Sequence, residues 1–172
     1  MTLQVETHLL KDDGVIPNND RLPLVIYRSA VPDVGSADEC VRFFQGVFAT
    51  HGWGHGWVNG IYSFHHYHAT CHEVLGVAAG AAEVQFGGPS GPVLALETGD
   101  AVTIPAGVGH CRRDRRAGLV VVGAYPKGQD DVDLRRATAS DRAIALGFIP
   151  QVALPSLDPI AGAGQGLPLL WQ

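Results

Sequence analysis

Eight histidines occur in the 172-residue chain, and seven lie between His51 and His110, the densest run being His65-His66-Tyr67-His68-Ala69-Thr70-Cys71-His72-Glu73. Such a concentration calls for a chemical cause. Side chains two apart on a strand share a face, so His66 and His68 present their imidazoles together while His65 and Tyr67 point away. That pair can chelate a metal. A four-residue turn then brings Glu73 to the start of the next strand, close enough to add a carboxylate oxygen to the same centre. His110 follows the Pro105-Ala106-Gly107 turn, and a ligand from so distant a segment requires the sheet to close on itself, as a barrel does. Three imidazoles and one carboxylate suit one divalent transition metal per chain, Fe, Mn, Ni, Zn, Co or Cu; a hard, calcium-like cage needs more oxygens.

The neighbouring residues have plainer readings. By themselves His66 and His68 also fit a strand edge with satisfied imidazoles. His72, adjacent to Glu73, falls on the opposite face and reads as a surface or interface histidine, although a slip of one residue in register would make it the substitute ligand. His65, Cys71 and Cys111 share the outward parity and read as structural, and His51 and His55 as solvated loop residues. Tyr62 and Phe64 share the inward parity of His66 and His68; the hydroxyl makes Tyr62 a candidate to support a ligand or to face substrate. Arg112, in the run Arg112-Arg113-Asp114-Arg115-Arg116, shares the parity of His110 and is a candidate to meet an anionic substrate or to neutralise Asp114.

These side chains must be positioned by short strands. Runs of β type at Ile61–His68, Glu73–Ala79, Ala82–Phe86, Val93–Leu96, Ala101–Ile104 and Leu119–Tyr125, punctuated by Gly and Pro, suggest a sandwich or barrel. Ahead of them, Leu3–Leu10 and Leu22–Tyr27 read as strands divided by the turn-rich Pro17-Asn18-Asn19-Asp20, forming an N-terminal arm. Val41, Phe44, Val47 and Phe48 recur at helical spacing behind a Ser36/Asp38 start signal, which predicts a helix over Ala37–His51. The glycine-rich Gly52–Gly60 reads as a loop or hairpin edge whose tryptophans cover part of a core. A short helix within Asp130–Leu146 precedes a Pro- and Gly-rich tail, with Leu169, Leu170 and Trp171 placed to dock the C-terminus.

Composition bounds the partners. At 46% hydrophobic and 17% charged residues, the chain has enough apolar content for the core of one globular domain. A formal net charge of −5 argues against nucleic acid and acidic membrane surfaces, which need a basic field. Cys40, Cys71 and Cys111 are an odd number without CxxC spacing, which suits a reducing cytoplasm better than a disulfide framework. There is no basic-then-apolar leader at the start and no apolar run long enough for a membrane span.

Gly60, His66, His68, Glu73 and Gly80 stand at the spacing of the first cupin motif, and Gly99, Pro105, Gly107 and His110 at that of the second. The chain therefore resembles the cupin superfamily at motif level over residues 60 to 114. Its departure is Asp114, where the family usually has Asn. The resemblance implies an all-β fold, a double-stranded β-helix or jelly-roll barrel with an N-terminal strand arm and a few short helices. It implies one domain over 1–172, with residues 1–59 as N-terminal strands, helix and loop, 60–125 as barrel core and 126–172 as C-terminal helix and tail. It also implies that His66, His68, Glu73 and His110 are the metal ligands. Cupins with this ligand set include quercetin and acireductone dioxygenases and oxalate-degrading enzymes, so the expectation is a metal-dependent, dioxygenase-like oxidoreductase acting on a small oxygen-bearing molecule. The alternatives are a metal-dependent isomerase or epimerase and a non-catalytic small-molecule-binding module. A homodimer is expected, since an arm strand leaves sheet edges that a second copy can cover.

Overall fold

In the computed structural model, which describes residues 4–33, 35–114 and 116–172, eleven strands form two antiparallel sheets. In chain order the strands are β1 (Gln4–Leu10), β2 (Asn19–Arg28), β3 (Trp53–Asn59), β4 (His66–Tyr67), β5 (Glu73–Ala79), β6 (Ala81–Phe86), β7 (Val93–Glu97), β8 (Ala101–Ile104), β9 (His110–Arg112), β10 (Val120–Pro126) and β11 (Arg135–Arg136). The helices are α1 (Ala37–Thr50), α2 (Ala139–Phe148) and the short α3 (Leu167–Leu170), with a 3-10 turn at Ile149–Gln151. One sheet runs β1-β2-β8-β5-β10-β3 and the other β11-β4-β9-β6-β7. This is the expected jelly roll, with one correction: the strands form two separately bonded sheets facing each other rather than a single closed cylinder.

Alternation along the strands builds two cores. Leu24, Ile26, Leu75, Val77, Val102 and Ile104 point from the six-stranded sheet toward Val84, Phe86 and Leu96 of the other. Val25, Tyr27, Val74 and Ala78 point the opposite way, against Phe44 and Phe48 of α1 and against Leu167 and Trp171 of the tail. The six-stranded sheet is thus buried on both faces, which is why its central strands read as unbroken apolar runs.

Helix α1 begins where the sequence signals it. Ser36 accepts from the backbone of Glu39 and the Glu39 carboxylate returns to the backbone of Ser36, a complete capping box. Its apolar stripe lies so close to β5 that a Cβ at Gly76 would stand 2.5 Å from the Phe44 ring. Glycine at 76 is what permits that approach.

Three expectations require correction. Strand β2 is no arm: it sits inside the sheet between β1 and β8, and the turn lies upstream, since Asn19 and Asp20 already belong to β2. Leu3 lies outside the described residues. Trp53–Asn59 is an edge strand paired with β10, because ladder hydrogen bonds and the packing of Trp53 override the low strand preference of its glycines. The strand expected over Ile61–His68 shrinks to His66–Tyr67, leaving 60–65 irregular. Among the described residues no helix is long and apolar enough to cross a membrane.

Candidate metal centre

His66 and His110 face each other as cross-strand partners of β4 and β9, with ring centroids 4.0 Å apart. His68 follows β4 by one residue, and its carbonyl accepts from the backbone of Gly107 at 2.7 Å, which ties the first histidine pair to the turn before His110. All three rings are buried, and one ligand atom from each lies within 4.8 Å of the others. This group can hold a metal ion. Glu73 enters from the opposite sheet: Oε2 lies 3.3 Å from His110 Nε2 and 3.5 Å from His68 Nε2 and makes no hydrogen bond.

The backbone fixes which nitrogens face inward. Nδ1 of His66 meets the Phe64 carbonyl at 3.1 Å, Nδ1 of His110 meets that of Val108 at 3.3 Å, and Nδ1 of His68 meets that of Asp133. Since a carbonyl only accepts, each Nδ1 carries a proton, which leaves Nε2 as the nitrogen that faces inward and that titrates. Burial, reinforced by His110, pushes His66 down to about 3 and so keeps it neutral. For His68 burial acts in the same direction, but the Glu73 carboxylate outweighs it and the net shift is upward. Burial would raise Glu73; the His68 and His110 imidazoles hold it well below the usual carboxylate range instead. An anionic oxygen buried without a hydrogen-bond partner, beside three imidazoles whose Nε2 atoms face inward, has the donor set that a divalent transition metal requires.

A cavity of about 320 Å³ opens above this cluster, lined by Trp57, Ile61, Tyr62, Leu75, Tyr125 and Leu134 among others. Tyr125 sits between Trp57, whose indole N–H donates to the phenol oxygen at 2.9 Å, and the ring of His68. Burial and then the Glu73 carboxylate push its phenol strongly up, so it stays protonated. Another cavity, of about 350 Å³, lies between the β1–β2 turn and the end of α2 and contains none of the histidines.

The other candidates fall elsewhere. His72 is 1% exposed, which corrects its reading as a surface or interface residue; Nδ1 accepts from the backbone of Ala106 at 2.9 Å and the ring packs on Trp171. It is buried on the far side of the sheet because α1 and the tail cover the face that parity assigned to solvent. Tyr62 is half exposed at the mouth of the cavity it lines, stacked on Phe64 at 4.8 Å and edge-on to the His66 ring at 5.1 Å, on the irregular 60–65 segment. Arg112 pairs with Asp114 at 2.8 Å and does not line the cavity. Asp114 also accepts from the backbone of Glu83 at 2.7 Å. Arg115 lies outside the described residues. His55 is exposed beside Asp130, whereas His51 is tied to the Pro159 carbonyl at 2.9 Å.

Three positions escape the motif-based reading. Asp133 orients His68 through its carbonyl, while its carboxylate accepts from the backbone of Ala69 and from Thr70. It stands more than sixty residues from its partners, and no local pattern points to it. Trp57 and Tyr125 also lie outside both motifs. For Tyr125 a signal exists, because alternation along β10 places it on the same face as the core residue Val121.

No protein-family model matches the chain. It is 39% identical over 171 residues to the uncharacterized protein YjlB of Bacillus subtilis (strain 168), covering 99% of each chain. Among solved structures, the DMSP lyase DddQ of Ruegeria pomeroyi DSS-3 aligns with a TM-score of 0.38 and 18% identity, over 78% of this chain and 51% of that one. The acireductone dioxygenase of Bacillus anthracis, with a cadmium ion in its active center, aligns with a TM-score of 0.38 and 17% identity, over 72% and 76%. A point variant of the oxalate decarboxylase of Bacillus subtilis gives 0.40 and 15%, over 70% and 29%. The chain thus spans about half of the lyase, and likeness at these scores carries no information about substrate.

Proposed function

We propose that the chain, which belongs to the family of Bacillus subtilis YjlB, is a small cupin that binds one divalent transition metal through His66, His68, Glu73 and His110 and acts as a dioxygenase-like enzyme on a small oxygen-bearing molecule. The observation that supports this most is the convergence of three buried imidazoles, each with Nδ1 on a backbone carbonyl, upon the unpartnered Oε2 of Glu73. When bound, a divalent ion there would supply Lewis acidity and about two open coordination positions, enough for a bidentate substrate or for substrate beside dioxygen.

The chain's own residues set the conditions for that chemistry. The carbonyls of Phe64, Val108 and Asp133 hold each Nδ1 protonated and turn Nε2 inward, so that an ion would meet Nε2 on all three rings, displacing any proton there. Glu73 lowers the net charge of the centre, which favours a higher oxidation state of the metal. Burial of all four side chains keeps bulk water from competing at the donor atoms.

Elemental analysis of protein purified without an affinity metal should find about one divalent metal per chain, and replacing His66 and His68 together by alanine should abolish it. Full occupancy in the double variant overturns the reading. Oxygen uptake against enediols, flavonols, oxalate and diketones then tests the oxidoreductase, and anaerobic turnover would favour the isomerase instead. We infer in addition that two chains pair through an open sheet edge, because β1 and β3 end one sheet and β7 and β11 the other. Light scattering should return the mass of two chains at micromolar concentration, and a monomeric mass refutes the pairing.

A further inference from the structure

The walls of the cavity above the four donors are unlike those of a site for small, highly charged acids. We propose that this cavity selects an apolar molecule carrying one chelating pair of oxygens and at most a single negative charge, with Tyr125, held by Trp57, as the hydroxyl that hydrogen-bonds it. The inference rests on the metal reading above and deepens it.

Charge is the first ground. None of the described residues lining the cavity is Arg or Lys. Of its two carboxylates, Asp133 is committed elsewhere, to the backbone of Ala69, to Thr70 and to Arg135 at 2.6 Å. The nearest arginines in sequence are also engaged: Arg112 by Asp114, Arg135 by Asp133 and Asp141, and Arg136 by the Phe64 ring, 3.7 Å away. Three neutral imidazoles and one carboxylate would leave a divalent ion with a single positive charge. A monoanion neutralises that; a second negative charge would be desolvated among apolar side chains without a partner.

The second ground is the apolar wall. Ile61 and Leu75 are buried at its sides, while Val58, Tyr62 and Leu134 remain 46%, 51% and 47% exposed around the opening. Exposed apolar side chains gathered at one cavity mouth mark a place where an apolar body is covered.

The third is the polar handle. Gly123 faces Trp57 across the β10–β3 ladder, and a Cβ there would stand 2.2 Å from the indole, so glycine lets the ring lie flat across the strand. That pose delivers the indole N–H to the Tyr125 oxygen at 2.9 Å. With its oxygen already accepting, the phenol is oriented to offer its proton, and a fixed donor beside an apolar wall positions an oxygen-bearing ligand.

The test uses the full chain loaded with Co(II), whose visible spectrum reports the centre and its ligands without turnover. Acetylacetone, benzoylacetone and oxalate are titrated in, each affinity being divided by that for aqueous Co(II). Benzoylacetone should gain about tenfold over acetylacetone from burial of its phenyl group, and oxalate should fall about tenfold below acetylacetone. Tyr125→Phe should weaken both diketones about fivefold, the worth of one net hydrogen bond, with the ligand-free Co(II) spectrum and stoichiometry unchanged. Leu134→Arg, at an exposed position, should raise oxalate binding and lower that of benzoylacetone. Oxalate binding as well as the diketones, or a Tyr125→Phe variant without effect, overturns the proposal. If the wild-type chain develops no Co(II) spectrum, the metal reading itself fails and the proposal with it.

Discussion

Glu73 and His72 are adjacent, yet one side chain reaches the histidine cluster and the other the tail. Glu73→Ala should therefore strip most of the metal, as read by elemental analysis, while His72→Ala should retain it. The second change carries a different penalty: it leaves the buried backbone N–H of Ala106 unpaired and a gap against Trp171, a loss of about 1–3 kcal/mol in denaturant unfolding. Loss of metal in His72→Ala with retention in Glu73→Ala would place β5 one residue out of register. Acid should weaken the metal-free protein for the same local reasons. Burial lowers both His66 and His72 to about 3 from an ordinary 6.5, so the unfolded chain binds more protons between those limits. Their contribution is complete above pH 6.5 and lost as pH falls toward 3; Glu73, also lowered, acts in the same sense at more acid pH, and His68, raised, in the opposite sense. The slope is at most about 1.4 kcal/mol per pH unit for each histidine. Urea midpoints at about pH 7 and pH 5, either side of the ordinary histidine value, measure it, and His72→Gln should flatten the difference. The histidine and glutamate cluster was legible in the sequence because strand alternation holds at His66, Glu73 and His110. Tyr62 lines the cavity and meets the His66 ring, but its place there was not legible from alternation, which stops before His66.

At the scale of elements, the sequence is readable where one local rule acts alone. Strands β5 and β8 and helix α1 lie where alternation and capping put them, α1 ending one residue early. Strand β3 was illegible because its pairing to β10, more than sixty residues away, is settled by tertiary packing against glycine's local preference. The close approach of α1 to β5 also has no sequence signature beyond a single glycine. Gly76→Ala should force the Phe44 ring aside and cost about 1–3 kcal/mol of stability. Thermal melting checks this, and an unchanged midpoint would mean that α1 shifts freely on the sheet. Ser36→Ala, which removes the capping box at the start of the same helix, should cost only about 1 kcal/mol.

Across the whole molecule, the tail closes the back of the sheet that carries Glu73. Asp158, fully buried, accepts from the Tyr27 hydroxyl at 2.6 Å and from the backbones of Ile160, Ala161 and Leu167, while the Trp171 indole donates to the Pro23 carbonyl at 2.8 Å. The docking of the C-terminus was legible in its apolar end, although Trp171 is buried there while Leu169 stays exposed. Trp171→Ala should cost about 3–5 kcal/mol in urea unfolding, against the near-neutral effect of removing an ornament. The donors divide between the halves of the fold: His66 and His110 belong to one sheet and Glu73 to the other. Strands β4 and β9 are only two and three residues long, so few ladder hydrogen bonds hold them. An ion spanning the two sheets would act as a rivet, and its effect should appear as slowed amide deuteration at Tyr67 and Cys111 with little change in the long strands β5 and β10. Uniform slowing throughout the chain would instead indicate general stabilisation.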